Sequence, residues 1–370
     1  MEVYINAFVL LFALAALDVY SGRKAVSRLT LGVGTVLLVL LIGLRWETGN
    51  DWGPYLHYYR ALQGDPSSSF EPGYRALVWV ARRAGLEYST FLTLSAAIYM
   101  SAFAVVFSRF RHPAVLLLLF YSVYLLGFMG TQRQTLALGF TSLAILRFYD
   151  RKNASALALV LVGMLFHYTA IISLLAIAVP RSRLSLRAVA AVLLAASALY
   201  YFDVIGSLIE SGTNALVGGE GYLARRLLAY SAGGEWVQAS TFGPLMELLW
   251  LVKRIALVVV FWLLCSRERR SLDNYLVNLY VLSVVVFLVT YKGVPLLALR
   301  GPLYFALFEI GLTCLALQRL GGWFRRESLL WIGGVLAAAR LYAGIMLYAP
   351  DLYVPYKSVV VNTDYARFTY

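Results

Sequence analysis

The sequence predicts an all-α integral membrane protein, and three observations carry that prediction. Of its 370 residues, 61% are apolar and only 14% charged, whereas a soluble domain carries about 25% charge. Mean hydropathy is +0.73, which at roughly 20 residues per crossing leaves room for about 12 transmembrane helices. Apolar runs alternate with short polar connections throughout, so 1–370 reads as a single polytopic membrane domain.

The elements follow in chain order. The first apolar stretch, 3–20, has Glu2 ahead of it and Arg23, Lys24 and Arg28 behind it, the reverse of a cleaved export signal. That order predicts a retained helix with its amino end outside, because Lys and Arg stay on the cytoplasmic side. Further spans are predicted at 29–46, 89–108, 113–129, 134–149, 154–167, 169–180, 187–203, 244–265, 275–291, 302–318 and 329–348. Several are shorter than an ideal crossing, and the 154–180 pair reads as a tightly turned hairpin. The connections 21–28, 109–112, 150–153, 181–187, 266–272 and 319–327 are short and basic, hence cytoplasmic.

The opposite face receives the long pieces: an outer loop at 47–88, a flap loop at 204–243 and a tail at 349–370. Within the first, residues 71–85 set Leu77, Val78 and Val80 among Arg75, Arg82 and Arg83 with Trp79 as anchor. That pattern predicts a helix lying in the membrane interface. Residues 211–234, with Tyr222, Arg225, Arg226 and Tyr230, read either as a mobile flap containing a short helix or as a plain connection.

The charge of +13 is scattered in small groups rather than gathered on one polar domain, which excludes a nucleic-acid-binding module. Cys265 and Cys314 lie in apolar surroundings, apart from any His cluster, which excludes a disulfide framework or a zinc site.

Four outer-face constellations carry chemistry. After Arg45, the run ETGNDWGPYLHYYR gathers Glu47, Asp51, His57 and Arg60 beside Trp52, Tyr55, Tyr58 and Tyr59. Carboxylates and aromatic faces together suit a sugar, with its apolar ring face and rim of hydroxyls. Asp51 reads equally as the cap of a helix starting at Trp52. The turn Gly130, Thr131, Gln132, Arg133, Gln134 holds an arginine with no acid near it in sequence. Such a cation at the hydrocarbon edge needs an anion from the fold or a ligand, unless it snorkels to the headgroups, and its planar fork matches phosphate oxygens. At Phe166, His167, Tyr168 and Thr169 an apolar hairpin turns, and His167 reads as a proton acceptor or as a packed core histidine. Arg300, framed by Pro295 and Pro302, reads as a second anion ligand or as a snorkelling side chain. Inside the spans, Lys253, Arg254 and Arg340 demand partners such as Glu247, Glu309 or a bound anion.

These residues resemble a known family. Arg45, Gly49, Asp51 and Tyr55, the turn Gly130 with Arg133 and Gln134, the pair Phe166 and His167, Arg300, and Pro355, Tyr356 and Lys357 are together similar to the EpsG-like branch of Wzy-type polysaccharide polymerases. Asn50 and Trp52 depart from the Thr and Tyr that the pattern leads one to expect. The resemblance implies a GT-C-like helical bundle in a bacterial inner membrane, with periplasmic loops and an active site on the outer side. It implies a glycosyltransferase that joins oligosaccharide units carried on undecaprenyl pyrophosphate into O-antigen or exopolysaccharide. The implied partners are that lipid-linked donor and acceptor, membrane lipid, a chain-length regulator and a flippase, and no nucleic acid.

A leaving diphosphate needs positive charge placed in advance. The sequence contains no DxD motif, so the expectation is a reaction without metal or cofactor. Arg133 and Arg300, with Arg45, would then meet the diphosphate, joined by Gln134, Arg254, Arg340 and Tyr55 in binding substrate. His167 or Asp51 would take the proton of the acceptor hydroxyl. A polysaccharide ligase would share this logic with a different acceptor, and a lipid-linked glycan flippase would instead use the intramembrane cations.

Overall fold

The computed structural model describes residues 1–49, 51–61, 70–204, 206–208, 244–264, 271–320, 325–348 and 350–363. Among them every regular element is helical. In order these are α1 (Glu2–Ser21), α2 (Lys24–Gly43), α3 (Trp52–Arg60), α4 (Pro72–Arg83), α5 (Tyr88–Phe107), α6 (Pro113–Phe120), α7 (Leu126–Gly130), α8 (Gln132–Tyr149), α9 (Asn153–Phe166) and α10 (Leu186–Tyr201). There follow α11 (Pro244–Leu264), α12 (Leu272–Thr290), α13 (Pro295–Arg300), α14 (Leu303–Ala306), α15 (Glu309–Leu320) and α16 (Arg325–Ala343). A π-helical turn, Tyr121–Leu125, joins α6 to α7, and a 3₁₀ stretch, Tyr168–Ala178, follows α9.

Helical segments stand at all twelve predicted places, and fewer of the described helices are by themselves long and apolar enough to cross a bilayer. Six described helices are long and apolar enough, or seven if α13–α14 and α15, bent by 48°, count as one. The difference from twelve has physical causes. α9, the 3₁₀ stretch and α10 have 14, 11 and 16 residues, α8 opens on Gln132, Arg133 and Gln134, and α11 carries Lys253 and Arg254. Residues 211–234, including Tyr222, Arg225, Arg226 and Tyr230, lie outside the described residues, as do the side chain of Glu247 and Cys265.

The chain divides into two compact units, 1–171 with 313–370, and 172–312. In the first, the continuous segment Pro113–Gly130 is buried over 89% of its length and is packed by α1, α2, α5 and α16. Its start is fixed by Asp18, fully buried on α1, which accepts the Ala114 N–H at 3.0 Å and the Ser27 hydroxyl at 2.5 Å. An exposed ion pair, Arg109–Asp150 at 2.9 Å, joins two connections predicted to share the cytoplasmic side. Large apolar residues such as Val9, Leu29, Val36 and Val335 point outward, as a helix facing hydrocarbon requires.

In the second unit α12 is the central helix, packed by α10, α11, α13 and α14. Asn278 on α12 donates to the carbonyls of Pro180 and Ser182, both at 2.8 Å. Arg183 lies 3.9 Å from the ring centre of Trp262.

Candidate functional site

The predicted outer segments of the first unit bond to one another. After α2 the chain turns through Glu47 and Gly49, both at positive φ. At φ 103° Gly49 holds a backbone conformation that favours glycine, and a Cβ there would stand 3.3 Å from the Gly130 backbone nitrogen, so the two turns approach closely. The tail closes over this contact. Trp46 N–H donates to the Lys357 carbonyl at 2.9 Å, Tyr356 donates to the Leu41 carbonyl at 2.7 Å, and Lys357 Nζ pairs with Glu47 at 2.7 Å, both partners buried.

Arg45 is 2% exposed and spends its guanidinium on main chain, with bonds to the carbonyls of Ile42, Thr48 and Met129. These bonds tie the α2 end to the α7 end.

A second group forms beside this strap. Pro72 starts α4 at a position where its missing N–H costs nothing, and Glu71 stands at the cap without capping its own helix. Its carboxylate instead reaches two partners from distant segments. Oε1 lies 3.0 Å from His167 Nδ1, and Oε2 lies 2.5 Å from an Arg133 terminal nitrogen. Gly73 makes this approach feasible, because a Cβ there would stand 2.7 Å from the Leu165 carbonyl oxygen at the end of α9. His167 sits where α9 stops, its backbone extended and its N–H bonded to the Gly163 carbonyl. Arg133 occupies the first turn of α8.

Glu71 and His167 are buried, with side chains 2% and 5% exposed, while Arg133 keeps 19%. Burial pushes the Glu71 carboxyl up, but the His167 hydrogen bond and the Arg133 charge outweigh it and hold the carboxyl below its usual range. An ionised carboxylate can only accept, so Nδ1 carries the proton that faces it and Nε2 is the ring's lone-pair nitrogen in the neutral imidazole.

Aromatic rings enclose the arginine. Its guanidinium carbon lies 4.4 Å from the Phe70 ring centre, and its Nε donates to the Tyr55 hydroxyl at 3.2 Å. Tyr55 stacks on Phe70 at 5.5 Å. Burial raises the Tyr55 phenol, Arg133 lowers it, and Asp51 is near enough to raise it further. Beneath lies a polar relay in which Tyr74 donates to Gln132 Oε1 at 3.1 Å and Gln132 Nε2 donates to the Tyr88 hydroxyl at 3.2 Å.

The expected residues therefore divide. Arg133, His167 and Tyr55 come together. Asp51 stands half-buried at the α3 cap position, where its carbonyl, not its side chain, takes the Tyr55 N–H. Gln134 is buried in α8, and Arg340 is exposed on α16. Arg254, 4.6 Å from the Phe287 ring centre, and Arg300, half-buried at the end of α13, belong to the second unit.

Glu71, Phe70 and Tyr74 were not singled out by sequence as site residues, whereas Gln132 stood in the polar turn with Arg133. The one available signal for Glu71 was an acid directly before a helix-starting proline. Among the described residues no group of three or more His, Cys, Asp or Glu is placed to hold a metal ion.

A family model described as the EpsG family matches residues 29–358, which takes in every member of the cluster and the strap. No curated protein and no solved structure matches the chain.

Proposed function

The chain belongs to the EpsG family, and on that premise we propose that it is a membrane glycosyltransferase that polymerises lipid-linked oligosaccharide units on the outer side of a bacterial inner membrane. The observation that supports this reading most is the single carboxylate of Glu71 bonded to both His167 and Arg133. A transfer from a sugar diphosphate needs a proton acceptor and a cation within one site, and these two are held by one anion.

In the proposed reaction the acceptor hydroxyl oxygen attacks the anomeric carbon of the donor sugar. The bond from that carbon to the diphosphate oxygen breaks, and the electron pair leaves with the polyprenyl diphosphate. The hydroxyl proton passes to His167 Nε2, and the ionised Glu71 on Nδ1 stabilises the imidazolium that forms. Arg133 meets the charge developing on the diphosphate. A guanidinium has five N–H donors, so its bonds to Glu71 and Tyr55 leave others for phosphate oxygens. Asp51 is the alternative proton acceptor.

The test is incubation of the purified protein with a lipid-linked repeat unit. A ladder of lengthening products that persists in excess chelator is expected. A single addition product would indicate a ligase, and loss of the ladder restored by Mg²⁺ or Mn²⁺ would overturn the metal-free reading.

A further inference from the structure

An open cleft of ≈ 660 Å³ lies between α3 and α4, outside the cluster just described. Tyr58 and Ala61 form one wall, and Arg75, Trp79, Arg82 and Arg83 of α4 form the other. Among the described residues no acidic side chain lines it. Arg75, Trp79 and Arg83 follow one another at four-residue spacing, so they share a helix face, and all three are exposed. Arg83 lies 5.4 Å from the Trp79 ring centre. Arg82 bonds the Ala61 carbonyl and so ties the far end of α4 to α3.

We propose that this cleft holds the diphosphate of the acceptor lipid, the one retained through transfer, while Arg133 meets the one that leaves. The inference rests on the polymerase reading above. Three guanidinium groups match a multiply charged diphosphate better than the single charge of a phospholipid phosphodiester. The volume falls within the range of about 300–1,000 Å³ typical of small-molecule sites and exceeds what a bare phosphate fills.

Placement agrees with this assignment. Pro72 lines the cleft and directly follows Glu71. Tyr58 contacts Phe70 at 4.5 Å, and Phe70 carries Arg133 on its ring. The two places therefore share a wall. Arg75 and Arg83 stand four and twelve positions beyond Glu71, about 6 and 18 Å along a helix, a range that a short oligosaccharide spans between its lipid-bound end and its reacting hydroxyl. Exposed Trp79 and Val80 suit contact of the same helix with the membrane interface.

The test uses the full chain in zwitterionic nanodiscs with a sugar-free polyprenyl diphosphate as probe. Wild type is expected to bind two probe molecules, and the doubly substituted Arg75→Gln/Arg83→Gln and the single Arg133→Gln one each. In turnover, Arg75→Gln/Arg83→Gln should raise the acceptor KM about 10-fold or more and leave the donor KM and kcat unchanged. One probe per wild-type molecule, an unchanged acceptor KM, an equal rise in both KM values, or equal competition by phosphatidylglycerol would each overturn the proposal. The binding arm needs no catalysis, so a wild type that bound two probes yet made no polymer would count against the polymerase reading and not against this site.

Discussion

Arg45 and Arg133 come from turns that meet at Gly49 and Gly130, yet one is bonded to carbonyls and the other to a carboxylate. Arg45 is closed in, with three main-chain oxygens around it and the tail laid over the turn it anchors. Arg133 keeps a fifth of its side chain exposed, beside a histidine and a stacked aromatic pair. Backbone dipoles satisfy a cation without moving, which suits a clamp. A side-chain carboxylate shared between a cation and an imidazole couples charge to a proton acceptor, which suits chemistry. The strap and the cluster are thus neighbours with different work.

The largest effect that separates them is expected at His167. His167→Gln should lower turnover by about 10²–10⁴, and Arg133→Gln by about 10²–10³, with membrane levels unchanged on an immunoblot. Wild-type chain lengths from either variant would remove the cluster from the reaction.

Substitution in the strap should act on stability instead. Lys357→Met removes one partner of a buried pair and is expected to cost about 3 kcal/mol, read as a lower Tm in detergent, with turnover per folded molecule retained. A normal Tm with lost turnover would reverse the two roles.

Acid should reach the cluster through Glu71. Its carboxyl is held below the ordinary value of 4.5, so its stabilising contribution is complete above that pH and is lost as pH falls through the lower value in the folded protein. The Tm advantage of wild type over Glu71→Gln should shrink as pH falls below 4.5. An advantage undiminished well below that pH would contradict this account of the carboxylate.

The smallest effect belongs to Tyr55→Phe, which removes the hydroxyl that accepts the Arg133 Nε–H and should cost about 1 kcal/mol. Donor KM is the sensitive measurement.

Much of this arrangement was legible in the chain. Apolar runs placed the helices within a few residues, because hydrocarbon length constrains them. The amphipathic stretch 71–85 is α4, and the break at His167 falls where the apolar hairpin was expected to turn. The need of Arg133 for an anion was also readable from the cost of burying it. The identity of that anion was not, because Glu71 lies 62 positions away, and periodicity within one helix carries no information on such a distant contact. The same holds for Lys357 and Glu47, 310 positions apart. Among the described residues six or seven helices are long and apolar enough to cross a bilayer, and the bend at α14–α15 could not be read from composition.

The account centres on Glu71 acting with His167 as one unit, and a double-mutant cycle on turnover tests it most directly. Glu71→Gln and His167→Gln should each be costly, and the double variant should lose much less than the two single losses multiplied. Losses that multiply would show the two side chains acting independently and would contradict the coupling.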